Sequence, residues 1–355
     1  MNGSCQTTMI DIKANSEIVI DRVIDMEGAI VKIPERVTIL FKKGGCLKNG
    51  ELVGSNTKII GCNHSIFDNV SISGDWNVRY ITTEMFCDLS RVNSLKDVVA
   101  LASPNVDNVL TIMPGVYKVM VNFEHPKALI VPSNTEVLLN GTVELEPTNI
   151  GKYDIIALEG DNIFIHGSGN IIGDKFTHKS EKWEWGMGLS IMNSNNVRVT
   201  DIKVEQCWGD CIFIDGNSHN IFISNCTLNH GRRQGVSVIS GDNIVIENCL
   251  ITNVGGTAPQ YAIDIEPVED ATVGNVIIRN VTVKDCVGGI MSWGSAKNAK
   301  IQDIHIYGCY VEGCKNLQKG VPYSFNGTDN LFLEECHSDI DIKPNLSKMV
   351  KVTIK

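Results

Sequence analysis

Aromatic residues make up only 6% of this 355-residue chain, and proline occurs 10 times. No apolar run approaches the roughly 20 residues a membrane-spanning helix needs, and no signal-peptide pattern follows Met1, so membrane insertion is not expected. Positive charge is also short. Lysine and arginine number 31 against 41 aspartates and glutamates, for a formal net charge of −10. A field of that sign repels nucleic acid and anionic membranes, and is compatible with a neutral glycan or with an acidic glycan met by a local basic cluster. No Cys-x-x-Cys pair occurs, so a zinc site is not expected. The leucine-and-asparagine consensus of leucine-rich repeats is missing, and the β-branched alternation rules out helical repeats.

What is present is a repeat. Asparagine precedes a β-branched or apolar run at Asn162, Asn196, Asn220, Asn243, Asn275, Asn298 and Asn330, with intervals of 34, 24, 23, 32, 23 and 32 residues. The runs NVRVTDIKV, NIFISNCTL, NIVIENCLI, NVIIRNVTV, NAKIQDIHI and NLFLEECHS superpose as short strands with period-two alternation. Asparagine tolerates the left-handed conformation, so a column of them marks a bend repeated on every lap. A second register lies upstream: Leu189–Met192, Ile212–Asp215, Val236–Ile239, Ile263–Glu266 and Ile290–Trp293. Its first and third members are apolar in all but one case and face inward, and its second and fourth face out. Small residues precede them at Gly188, Cys211, Gly235, Ala262 and Gly289. Parallel strands repeated in this way predict an all-β, right-handed parallel β-helix, a solenoid rising about 4.8 Å per lap.

The 12 cysteines fall into the same pattern. Six residues after the recurring asparagine stand Ile202, Cys226, Cys249, Val281, Ile304 and Cys336, so cysteine exchanges with valine and isoleucine as a small buried hydrophobe. Structural thiols are therefore expected in preference to disulfides. Two regions are predicted, a β-rich segment over 1–85 (early coils or a small subdomain) and the β-helix proper over 86–355. SLKDVVALA at 94–102 is the best helix candidate, with Ser94 and Asp97 as a capping box and Pro104 as the stop, placed to plug the open end of the solenoid.

The helix followed by IMPGVY, the HGSGNIIGD lap, the stacked coils and the Trp-Gly-Asp-Cys corner together resemble the pectin-lyase-like β-helix superfamily over roughly residues 94–340. That superfamily includes polygalacturonase-like glycosidases, polysaccharide lyases and phage tailspike depolymerases. EWGMG at 184–188, WGDCIFI at 208–214, GRRQGVSV at 231–238 and GTAPQYAIDIEP at 256–267 are most similar to β-helix proteins of phage tails and gut bacteria that act on polysaccharides. Polygalacturonase-like enzymes carry two adjacent aspartates and a Gly-His-Gly. This chain departs from that pattern, with Cys211 after Asp210 and with His230-Gly231-Arg232-Arg233 in place of the histidine motif.

The outward columns offer a different set of acids. Asp264 and Glu266 share one strand face about 7 Å apart by strand rise, and Asp215 lies two laps from Glu266, roughly 10 Å by strand spacing. Glycoside hydrolysis needs a protonated acid and an ionised carboxylate, ~5–5.5 Å apart for retention and about 6.5–9.5 Å for inversion, so this spacing favours inversion. Asp264, Glu266, Asp210 and Asp215 are the catalytic candidates. His230, Arg232, Arg233, Gln234, Tyr261, Trp185, Trp208 and Trp293 are the substrate-binding candidates, the tryptophans as flat faces for pyranose rings. Bland roles are open to each: a turn bond for Asp210 or Asp215, charge neutralisation for the arginines, coil-end packing for the tryptophans.

The expected function is polysaccharide cleavage, foremost by a glycoside hydrolase that needs no cofactor. A lyase or epimerase acting on a uronic-acid polymer, with calcium possible, is the alternative. A non-catalytic glycan-binding tail or adhesin protein is the third reading. The expected partner is a polysaccharide or oligosaccharide, the expected assembly a monomer or homotrimer, and the expected place extracellular, periplasmic or virion-associated.

Overall fold

The computed structural model describes residues 12–61, 64–314 and 321–339, together with the strands Asn345–Ser347 and Val352–Ile354. Among the described residues almost every regular element is a strand, and every strand pairing is parallel. One lap consists of three strands and three bends. The lap at Trp185–Met192 continues through Asn195–Thr200 and Lys203–Glu205 before the chain returns one level up at Ile212–Asp215. Stacking of the laps gives three long sheets of nine, eleven and nine strands. They are called here the site sheet (Lys127–Val131 to Asn345–Ser347), the asparagine sheet (Tyr80–Thr82 to Val352–Ile354) and the third sheet (Val116–Val119 to His337–Ser338).

The bends explain the asparagines. Asn162, Asn196, Asn220, Asn243, Asn275, Asn298 and Asn330 all have φ between 48° and 59°, the left-handed region where asparagine costs less than other L residues. Their amides join neighbouring laps: Asn196 Nδ2 donates to Asn162 Oδ1 at 2.8 Å, and Asn162 Nδ2 to Asn134 Oδ1 at 3.0 Å. Higher in the stack the acceptor becomes an aspartate, Asp242 for Asn275 and Asp270 for Asn298. Asn134, at φ 59°, is an earlier member of the series that the repeat spacing did not reveal.

Inward residues of the three sheets fill one continuous core of Ile, Val and Leu, among them Ile212, Ile214, Val236, Val238, Ile263 and Ile265. Each such side chain contributes roughly 1.5–3 kcal/mol through burial. Ser292, the polar exception in the inward pattern, is buried and hydrogen-bonds to Thr328 one lap on. The corner column must be small: a Cβ on Gly235 would lie 2.5 Å from Ile251 Cγ2 and 2.6 Å from the Ala262 carbonyl oxygen. Cys226, Cys249, Cys286 and Cys309 are buried in the core, and no disulfide joins the described cysteines.

Residues 17–77 form a separate sheet of six parallel strands with a shorter lap, the register advancing from Glu17 to Thr38 and from Thr38 to Lys58. Between it and the main stack lies the helix Ser94–Val99, which buries Leu95, Val98 and Val99 against the strands Phe67–Asn77, Val116–Val119 and Lys127–Val131. The helix is shorter than its sequence suggested, and the capping box does not form. Asn93 is the N-cap residue, Ser94 Oγ donates to the carbonyls of Leu89 and Arg91, and Asp97 accepts from the Ile72 amide at 2.9 Å instead. A tertiary partner has captured the carboxylate that would otherwise have closed the box.

Candidate active site

Three outward columns of the site sheet carry the acids. The first runs Met187, Asp210, Gln234 and Tyr261, the second Ser190, Phe213, Ser237, Asp264 and Met291, and the third Met192, Asp215, Ile239, Glu266 and Trp293, with register set by the pairs Ile212↔Val236, Ser237↔Asp264 and Asp264↔Met291. Stacking in register thus brings Asp210, Gln234, Asp264 and Glu266 into one cluster from three laps. In front of them opens a groove of about 810 Å³, whose lining includes Asp154, Trp185, Asp215, Arg233, Ile239 and Glu266.

The second column was expected to face water, and apart from half-buried Phe213 it does not. Asp264 is 1% exposed, and Ser190, Ser237 and Met291 are also buried. Asp210 is likewise fully buried. The consequence is electrostatic, because a carboxylate taken out of water resists ionisation. Burial pushes the Asp210 carboxyl up to about 7, against the opposing pull of the Arg233 charge and the Gln234 amide. Burial and the charge of neighbouring Glu266 push Asp264 well above the usual carboxylate range. Burial also raises Glu266, while Asp264 and Arg233 pull it back.

Gln234 ties the cluster together. Its backbone N–H donates to Asp210 Oδ1 at 3.2 Å and its side-chain amide to Asp264 Oδ2 at 2.8 Å. Asp210 Oδ2, Asp264 Oδ1 and Gln234 Oε1 are buried with no hydrogen-bond partner. Gln234 was expected to hold sugar; it is fully buried and holds two acids instead. Tyr261, next in that column, is also buried and offers no open face to a ring. Asp215 is half-buried in the groove wall and accepts from Ser240 Oγ at 2.7 Å.

The remaining candidates separate. Arg233 lines the groove with Nε 3.6 Å from Glu184 Oε1, and Trp185 lines it as expected. Trp293, 40% exposed, continues the third column one lap beyond Glu266. Trp208 is only 5% exposed: His178 stacks on its indole at 3.9 Å and the Arg232 guanidinium lies over the ring at 3.8 Å. Trp208 and Arg232 therefore pack against each other and are not part of the groove. His230 occupies the left-handed bend between the third sheet and the site sheet, edge-on to Phe176, and is not among the groove residues either.

Sequence reading missed several groove residues, Asp154, Glu159, Lys127 and Lys152. Burial pushes Asp154 up to about 6. KYDIIAL, which carries it, pairs directly with the Trp185–Met192 strand, and extending the outward register one lap upstream would have found it. Also missed was the anchor of the loop that delivers Trp183, Glu184 and Trp185. Asp174 accepts from the Tyr153 hydroxyl at 2.5 Å, from the Thr148 amide at 3.0 Å, and bonds to His178 Nδ1 at 2.8 Å, with the Asp174 and His178 side chains wholly buried.

The comparisons with known proteins agree with this architecture. Residues 137–311 match the family described as "right handed beta helix region". The described residues fold as the right-handed parallel β-helix that this family model describes. The chain is 29% identical to the uncharacterized protein YclG of Bacillus subtilis (strain 168) over 212 residues, 52% of this chain and 34% of that protein. It is 28% identical to the SPbeta prophage-derived uncharacterized protein YorA of the same organism over 160 residues, 38% of this chain and 27% of that protein. The matched stretch thus spans about a third or less of these relatives. Among solved structures, the β-helix is similar to the polygalacturonase of Erwinia carotovora subsp. carotovora, 13% identical, covering 78% of this chain and 96% of that one at a TM-score of 0.46. It is similar also to a hyperthermoactive exopolygalacturonase from Thermotoga maritima, 13% identical, covering 78% and 91% at a TM-score of 0.45. None of these similarities assigns a role to a residue of this chain.

Proposed function

We propose that this β-helix is a carbohydrate-active enzyme that cleaves a polysaccharide by hydrolysis at the groove of the site sheet. The observation that carries the reading is Glu266, a groove-lining carboxyl whose proton affinity is raised by burial, with buried Asp264 beside it and a second groove carboxyl, Asp215, two laps away. Glu266 is the general acid that protonates the leaving oxygen, and Asp215 is the base that activates water on the other side of the bond. Their separation of roughly 10 Å by strand spacing lies nearer the inverting range than the retaining one. Asp264, Asp210 and Gln234 do not touch the sugar; they form the buried wall beside Glu266, whose own burial favours its protonated form. Trp185 offers aromatic surface in the groove, and exposed Trp293 stands one lap beyond Glu266 in the same column.

A polymer is favoured because the groove runs along several laps from Lys127 to Ala296. An extracellular or virion-associated place follows from such a substrate. Arg233, which faces the acids from the groove, is also what an eliminating enzyme would use against a sugar carboxylate, so the test must separate the two chemistries. Polysaccharides are incubated with the chain and followed both by new reducing ends and by ultraviolet absorption of unsaturated products. Reducing ends without absorbing product are expected, and Glu266→Gln is expected to lower their formation about 10²–10⁴-fold with the fold intact. Unchanged cleavage by that variant removes Glu266 from the chemistry, and an absorbing product replaces hydrolysis by elimination.

A further inference from the structure

The floor between the two proposed catalytic carboxyls is apolar. Ile239 stands on the lap between Asp215 and Glu266 in the same outward column, and Phe213 is on the Asp215 strand, two residues away on the same face. Both are half-buried, and both line the groove together with Met187, Met192, Pro267 and Val268. Val268 is 56% exposed at the rim. Outward positions of a solenoid next to a sugar's hydroxyls would ordinarily carry side chains that exchange hydrogen bonds with them, because an unpaired hydroxyl against hydrocarbon costs free energy. Here the ring that bridges the acids must rest on isoleucine and phenylalanine. None of the nearby cations stands on the floor between Asp215 and Glu266. Lys127 pairs with Glu159, and Arg233 faces Glu184 and the buried acids, while Lys152 lies on a strand two laps from that of Asp215.

We propose that the groove selects a pyranose carrying methyl groups, the C-methyl of a 6-deoxy sugar or the methyl of an O-acetyl ester, over a fully hydroxylated sugar or a uronic acid. This deepens the hydrolase reading and rests on it, since it takes Asp215 and Glu266 as the groups that bracket the bond. A methyl seated on Ile239 and Phe213 removes apolar surface from water on both sides, at about 0.8 kcal/mol or roughly fourfold in affinity per buried methyl. A sugar carboxylate at that place would instead be desolvated between two acids.

The experiment measures binding by titration calorimetry with the full chain carrying Glu266→Gln, so that cleavage does not intervene. Two matched pairs are used: an O-acetylated glucomannan beside its alkali-treated, de-acetylated form, and a D-rhamnan beside a D-mannan, with polygalacturonate as the carboxylate control. Binding at least fourfold tighter to the methyl-bearing member of either pair is expected, and the pair that responds tells ester from deoxy sugar. Ile239→Asn, checked for folding by its melting temperature, is expected to abolish that preference. The comparison within each pair needs no such variant if it fails to fold. Equal affinity within both pairs, or tightest binding to polygalacturonate, overturns the inference and leaves the hydrolase reading standing. No binding to any of the five polymers overturns both.

Discussion

Two faces of one solenoid treat their charges in opposite ways. On the outer face of the asparagine sheet, Glu247 meets Arg279, Arg279 also donates to the Tyr307 hydroxyl, and Glu136 meets His166. On the site sheet, laps of the same chain bury Asp210 and Asp264 with oxygen atoms that no donor satisfies. Both faces are built on the same strand spacing and the same alternation, so neither local propensity nor register distinguishes them. The difference lies in what surrounds them: Lys127, Lys152 and Trp185 at one end, and Pro267, Val268 and Ala296 at the other, line a groove over the site sheet. Unsatisfied buried acids are costly, and on the hydrolase reading proposed here the stretch that keeps them while its neighbour pairs its own is where function takes precedence over stability.

The sharpest break of that contrast is the Glu266→Gln loss of turnover described above, set against Glu247→Gln, which should leave any depolymerising activity unchanged. Next in size is the anchor of the loop that leads to groove-lining Trp185. Asp174→Ala strips Tyr153, His178 and the Thr148 amide of their common acceptor and should cost about 3 kcal/mol in chemical denaturation, as the loss of one partner of a buried charged network does. Trp fluorescence should change with it, since Trp208 is stacked on His178.

Asp210 gives the pH dependence. Its carboxyl titrates near 7 in the folded chain and in the usual carboxylate range when unfolded, so between about pH 4 and 7 the folded state binds the extra proton. Stability from this group is therefore greatest below pH 4 and is lost as pH rises toward 7. Asp210→Asn, which can still accept from the Gln234 amide, should flatten the melting temperature over that window and melt higher than the parent at pH 8. A parent melting curve that rises from pH 4 to 7, unaltered by the variant, would contradict the buried-acid picture. The smallest effect is expected on the other face: Glu247→Gln should change stability by at most about 1 kcal/mol, in a salt-dependent way.

The solenoid was legible because its determinants are local and repeated. Left-handed asparagines, alternating β-branched residues and small corner residues each act within one lap, and the repeat multiplies the signal. Cysteines exchanging with valine showed the core column for the same reason. The candidate site was legible only as a set of outward columns. Alternation gave the direction in which Asp264 and Glu266 point, but exposure depends on what other laps and loops lay over them. Gln234, Trp208 and Arg232 were therefore expected at the sugar and are found supporting or packing. The helix cap failed likewise, its Asp97 taken by an amide from a strand far along the chain.

By itself the sequence determined the coil: the period, the sense of each side chain and the laps on which the acids stand, all consequences of backbone preference and of burying alternate residues. Only the tertiary structure decided which of those acids lost their water, which shared a glutamine, and which looked into a groove. Desolvation depends on atoms that are distant in the chain, and no local pattern encodes it.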